Sequence, residues 1–125
     1  GFEFHSNVRS LQPFGFADYN HLQKNALCVV SDSGTVAEEA SYFKFPAVSI
    51  RTSTERPEAL DAGNMIIGSI TTKDVLQAVN MAINMNSSKD IGVDVPNYVN
   101  KNVSTKVAKL IQSYTSIVNR QVWRK

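Results

Sequence analysis

A short apolar run, Ala26-Leu27-Cys28-Val29-Val30, breaks off into Ser31-Asp32-Ser33-Gly34-Thr35 and passes directly into Val36-Ala37-Glu38-Glu39. Five apolar residues are too few for a buried helix and suit a buried strand. The small residues after them make a turn, and the segment beyond has helical composition. The same order recurs downstream. Residues 47–50 read as a second strand after a helix over 36–43 that Pro46 closes. Residues 65–67 read as a third strand after a short helix over 55–62, opened by Pro57 and closed by Gly63. Strands alternating with helices at spacings of about 15–20 residues predict βαβ units, hence an α/β chain with a parallel sheet. Such sheets place ligands at the C-terminal ends of their strands, where the 31–35 turn falls.

The flanking segments fit this frame. Residues 7–11 suit a short first strand or an extended entry, broken by Pro13 and Gly15. Residues 17–25 suit a helix with Tyr19, Leu22 and Ala26 at helical spacing. Residues 72–85 form an amphipathic helix with Val75, Leu76, Val79, Ala82 and Ile83 on one face and Thr72 as its N-cap. Residues 86–102 are polar and read as a loop or linker. The longest helix, 104–123, carries a stripe of Val107, Leu110, Ile111, Tyr114, Ile117, Val118 and Val122, for which core or interdomain packing is the default.

The chain has 125 residues, enough for one domain with a real core. A net charge of +2, with the basic residues scattered, argues against nucleic acid as a partner. No apolar run approaches the roughly 20 residues of a membrane span. The lone Cys28 excludes an internal disulfide framework and fits a reducing, cytoplasmic setting. His5 and His21 have no partners at metal-ligand spacing, so no metal site is expected. The chain opens at Gly1-Phe2-Glu3-Phe4 without an initiator methionine and is expected to be a piece of a longer protein.

Two runs carry the chemistry. In the first, Gly34 lets a backbone approach a ligand closely, and the hydroxyls of Ser33 and Thr35 are potential donors to phosphate oxygens. The start of the following helix would add about 0.3–1 kcal/mol per charge. The same residues also fit a plain capping box, in which Thr35 and Glu38 only satisfy the helix end. Glu38 and Glu39 point about 100° apart on a helix, so they cannot serve one site equally. Either one suits sugar hydroxyls, and either suits a solvated first turn. In the second run, Thr54-Glu55-Arg56-Pro57-Glu58, the Arg56 guanidinium suits a phosphate held by two parallel hydrogen bonds, or a surface pair with Glu55 or Glu58.

Together the two runs, with Pro46, Ala59, Ala62 and Gly63, resemble the C-terminal half of the non-hydrolysing UDP-N-acetylglucosamine 2-epimerase family. The likeness extends from Pro13 onward. The Ser-Gly-Thr form, Ser49-Ile50-Arg51 and the closing Ser113-Tyr114, Val118-Asn119-Arg120 and Val122-Trp123 resemble a branch that makes UDP-N-acetyl-L-fucosamine for capsules and O-antigens. The resemblance implies a Rossmann-like sheet with flanking helices, one half of a GT-B two-domain fold. It implies a UDP-binding domain over 1–103 and a terminal helix over 104–125 that crosses to an absent N-terminal domain. By position, Ser33, Gly34 and Thr35 resemble the diphosphate turn, Glu39 the carboxylate on the ribose, Arg56 the arginine on the diphosphate, and Tyr19 an aromatic near the uracil. Thr35 replaces the second glycine of the commoner pattern and Ala37 its glutamine.

The reaction so implied inverts C2 of a UDP-hexosamine by eliminating UDP and adding it back. The acids and bases that move protons would lie in the absent half, so no catalytic residue is expected here. The expected partners are the UDP-sugar, the N-terminal domain and a second copy in a homodimer; no cofactor, nucleic acid or membrane is expected. Two other readings remain at this level: the donor-binding domain of a GT-B UDP-sugar glycosyltransferase, and a non-enzymatic anion- or partner-binding domain.

Overall fold

The computed structural model describes residues 3–125; Gly1 and Phe2, at the opening of the chain, lie outside the described residues. Three strands, β1 (Val29–Ser31), β2 (Ala47–Ser49) and β3 (Ile66–Ile67), pair in parallel in the order β1-β2-β3. Five helices accompany them: α1 (Phe16–Lys24), α2 (Val36–Phe43), α3 (Pro57–Asp61), α4 (Thr72–Ser87) and α5 (Val103–Gln121).

Side chains alternate across the sheet, as the period of two in a strand requires. Val29, Ala47 and Ile67 face one side, where they pack with Val36, Ala37 and Ala40 of α2 and Ala59 of α3. Cys28, Val48 and Ile66 face the other, against Ala78, Val79 and Ala82 of α4. The sheet is therefore covered on both faces, which explains why its strands read as continuous apolar runs rather than alternating ones. The α4 face is narrower than its sequence suggests: Ala78 and Ala82 are buried, whereas Leu76 is exposed.

Element ends follow local chemistry. Helix α2 stops because Lys44 adopts the left-handed conformation (φ 58°), two residues before Pro46. The α3 segment opens on Pro57 and closes in a Schellman motif: the Gly63 N–H donates to the Leu60 carbonyl at 2.8 Å and the Asn64 N–H to the Ala59 carbonyl at 3.0 Å. The N-cap of α4 is Thr71 rather than Thr72; its hydroxyl accepts from the Asp74 N–H at 3.2 Å. Residues 7–11 form no strand.

The polar segment after α4 is tied to the core more closely than its composition implies. The Val93 N–H donates to the Ala62 carbonyl at 2.8 Å, the Asn64 amide donates to the Val93 carbonyl at 2.8 Å, and Val95 is buried. Tyr98 packs on the cluster beneath α2 and α3. Helix α5 differs: every one of its residues is exposed, including the whole predicted apolar stripe.

Gly92 makes the return over α3 possible. Its φ is +75°, and a Cβ there would lie 2.5 Å from the Ala62 carbonyl oxygen and 2.6 Å from the Gly63 carbonyl carbon. Gly92→Ala is expected to cost about 1–3 kcal/mol through overpacking against rigid backbone, read as a lower urea midpoint at unchanged slope.

Candidate functional site

The parallel register brings the two chemical runs together. Ser31 of β1 sits opposite Ser49 of β2, and the Ile50 N–H continues the ladder to the Ser31 carbonyl at 3.0 Å. The 32–35 turn and the 50–56 loop therefore leave neighbouring strands at the same end of the sheet. Arg56, the N-cap residue of α3, has its N–H on the Thr54 hydroxyl at 3.1 Å. Its guanidinium reaches the first turn: a Cβ added to Gly34 would lie 3.5 Å from Nη1 and 3.9 Å from Cζ of Arg56. Gly34 is not among the glycines with positive φ, so its contribution here is the close approach of backbone and guanidinium.

The turn is organised by its own hydroxyls. The Ser31 hydroxyl accepts from the Ser33 N–H at 3.0 Å, and the Ser33 hydroxyl accepts from the Thr35 N–H at 3.3 Å. Ser33 Oγ and Thr35 Oγ1 share a further hydrogen bond at 3.0 Å. No capping box forms. Thr35 has helical backbone angles and makes no side-chain cap, and Glu38 turns away to accept a hydrogen bond from Arg56 Nε through Oε1. That contact, with the ion pair it forms, raises the Arg56 pKa further above its already high ordinary value.

Glu39, one residue on, points toward α1. Its Oε2 accepts from the Gln23 amide at 2.6 Å. The Glu39 charge also acts on Tyr19 of α1: burial first, and then that charge, raise the pKa of the phenol. Ser33, Gly34, Thr35 and Arg56 thus form one group. Tyr19 and Glu39 form a second, joined to the first by the single step from Glu38 to Glu39 along α2. The predicted divergence of the two carboxylates is observed, with Arg56 as the partner of Glu38.

Two residues belong to this region without a local sequence signal. Gln23 is the buried residue of α1, at 4% exposure, in place of the apolar face expected there. Its amide nitrogen donates to Glu39, while its Oε1 is buried with no hydrogen-bond partner among the described residues. Tyr98 donates its hydroxyl to Glu58 Oε1 at 2.5 Å. That hydrogen bond is the main reason the Glu58 carboxyl lies below the usual carboxylate range. Burial and the Glu58 contact push the Tyr98 phenol well above its ordinary value, and the Glu38 charge adds to the shift. Nothing within 40 residues of Glu58 toward the C-terminus announces this pair in the sequence.

Among the described residues, no group of three or more His, Cys, Asp or Glu side chains is placed to hold a metal ion. No helix among the described residues is long and apolar enough to cross a membrane.

The unit is a parallel α/β domain whose serine- and glycine-lined turn and arginine lie at the C-terminal strand ends, the edge at which open α/β sheets take their ligands. Comparison with known proteins narrows the class. Residues 2–112 match the family model described as UDP-N-acetylglucosamine 2-epimerase. The chain belongs to this family. It is 39% identical over 62 residues to the UDP-N-acetylglucosamine 2-epimerase of Methanocaldococcus jannaschii, a stretch covering 49% of this chain and 17% of that protein. The solved structure of UDP-N-acetylglucosamine 2-epimerase from Rickettsia bellii superposes with a TM-score of 0.85 at 43% identity, over 94% of this chain and 32% of that one. The Neisseria meningitidis UDP-GlcNAc 2-epimerase, solved bound to UDP-GlcNAc, shares the fold with a TM-score of 0.64 at 23% identity, over 82% of this chain and 28% of that one. The chain therefore corresponds to about a third of each of these solved chains.

The Tyr98–Glu58 pair predicts a defined pH dependence. A carboxyl lowered by folding stabilises the native state above its unfolded pKa, and that contribution is lost as pH falls through the folded value. The urea-midpoint advantage of the unaltered chain over Tyr98→Phe is expected to be full at pH 7 and to shrink as pH drops below about 4. A pH-independent difference would mean that the hydroxyl acts on something other than the Glu58 carboxylate.

Proposed function

We propose that this chain is the UDP-binding half of a nucleotide-sugar C2 epimerase, acting on a UDP-N-acetylhexosamine by elimination and re-addition of UDP. The observation that carries this reading is the Arg56 guanidinium lying against the Gly34 turn at the C-terminal end of the parallel strands. In this reading the turn formed by Ser33, Gly34 and Thr35, together with Arg56, receives the diphosphate. Glu39, oriented by Gln23, accepts the ribose hydroxyls, and Tyr19 beside it packs against the uracil.

The chemistry follows from charge. As the bond between C1 and the UDP oxygen breaks, the leaving diphosphate gains negative charge while a base removes the C2 proton, leaving a 1,2-unsaturated sugar. A guanidinium and a helix start aimed at that oxygen stabilise the charge where it develops. Holding UDP against the turn keeps re-addition to C1 effectively intramolecular while a proton returns to the opposite face of C2. The groups that move these protons belong to the N-terminal domain of the full-length protein. The chain alone accordingly binds UDP weakly and does not turn over substrate.

The finer expectations remain part of this proposal. They are a 2,6-dideoxy-L-hexosamine substrate, a role in capsule or O-antigen synthesis, a cytoplasmic setting, a boundary near residue 103 and a homodimer. The exposed stripe of α5 supports packing against the rest of the polypeptide. The family match favours the epimerase over a glycosyltransferase donor domain.

Isothermal titration tests the central claim. UDP is expected to bind, and Arg56→Ala to weaken UDP roughly tenfold or more, the scale of a charge-assisted hydrogen bond. Uridine binding should change less than about twofold, since it lacks the groups Arg56 would hold. Equal losses for both ligands, or no binding of UDP at all, would overturn the assignment.

A further inference from the structure

We propose that Glu38 is a positioning residue for Arg56: it fixes the guanidinium so that its Nη edge, rather than its Nε edge, faces the phosphate-binding turn. This rests on the reading of Arg56 as the diphosphate residue and adds a separately testable part to it.

Three observations carry the inference. Glu38 Oε1 takes the Nε hydrogen of Arg56, while Nη1 of the same group is the atom nearest a Cβ built on Gly34. The guanidinium is a rigid planar fork, so holding one edge determines where the other points. Second, Glu38 has no competing task in the fold. It does not cap α2, because no capping box forms. Its other oxygen, Oε2, is shut away from solvent with no hydrogen-bond partner among the described residues. Leaving half of a carboxylate unsatisfied has a cost, and the one strong contact set against that cost is with Arg56. Third, the pair spans two elements, α2 and the start of α3, that meet only because β1 and β2 are in register. Arg56 itself sits in irregular backbone (φ −129°, ψ 62°) ahead of a five-residue helix, a place from which an unheld side chain would sample many rotamers.

A bare carboxylate beside an anion site would oppose binding. Here its charge is matched by Arg56, and its free oxygen faces the interior. The exchange is net positive charge for orientation: a pre-aimed fork loses less rotamer entropy when a diphosphate arrives than a mobile one does. The two acidic neighbours of Arg56 in its own run are taken elsewhere: Glu58 is held by the Tyr98 hydroxyl and Glu55 accepts from Arg51 Nη1 at 2.7 Å. The guanidinium is therefore left to Glu38.

Titration of UDP and uridine into variants of Glu38 and Arg56 tests the proposal. Glu38→Ala is expected to weaken UDP about fivefold, within the range for directly coupled groups, and to leave uridine unchanged. Glu38→Gln, whose amide oxygen still accepts from Nε, should restore most of the loss. Glu38→Ala with Arg56→Ala should bind UDP no worse than Arg56→Ala alone. If Glu38→Ala fails to fold, Glu38→Asp provides the same readout, since its shortened carboxylate withdraws from Nε and should lower UDP affinity selectively. UDP affinity that is unchanged or raised in Glu38→Ala, or in Glu38→Asp where that variant replaces it, while Arg56→Ala still weakens it would overturn the positioning role and leave the binding assignment standing. Loss of uridine and UDP together in the Glu38 variants would reduce Glu38 to a structural residue. Arg56→Ala losing both ligands equally would remove the underlying assignment instead.

Discussion

The parallel pairing of β1 with β2 is the constraint on which the rest depends. A parallel pair sends both of its outgoing loops from the same sheet end, and the match of Ser31 with Ser49 sets those loops side by side. A strand running the other way, or a one-residue slip, would send the 50–56 loop elsewhere or invert the faces of β2. The pairing is itself held by burial: Ala47 and Val48 point to opposite faces, and each is covered by helices. The hydrophobic packing of α2 and α4 against one strand therefore indirectly sets where a guanidinium meets a glycine turn.

On this frame the charged residues arrange themselves as a network rather than as isolated surface pairs. Glu38 and Glu39 leave α2 in different directions and are taken up by different elements, Arg56 ahead of α3 and Gln23 of α1. Glu58 is taken up by Tyr98 from the segment after α4. Glu38, Glu39 and Glu58 are thus each committed to one donor. The Glu38–Arg56 and Gln23–Glu39 contacts are partly buried; their effect is to limit the orientations open to Arg56 and Glu39, the two groups assigned to the ligand on the proposed reading.

The segment after α4 and helix α5 divide the C-terminal portion in two. Up to Tyr98 the chain is bonded to the end of α3 and buries Val95. Beyond it, α5 presents valine, leucine, isoleucine and tyrosine to solvent along one face. A contiguous apolar stripe of that length marks a contact surface. The solved relatives are about three times as long as this chain, and on the proposed reading the stripe packs against the part of the full-length protein that those lengths imply.

The sequence by itself determined the α/β class, the order of elements, the strand-turn-helix at residues 29–43, the proline start and glycine end of α3, and the residue types suited to a diphosphate. These are encoded locally, in runs of apolar residues and in the backbone preferences of Gly and Pro. The tertiary structure alone decided which partner each charged group takes. The capping box and the Arg56 pairs with Glu55 or Glu58 were all locally reasonable, yet Glu38 pairs with Arg56 across 18 positions. Gln23 is buried where an apolar residue was expected, and Tyr98 returns to Glu58 across 40 positions. Local periodicity carries no information on such contacts. They arise when sheet register and helix packing bring distant segments within hydrogen-bonding distance, where an acceptor shielded from water gains more from a nearby donor than it would in solution.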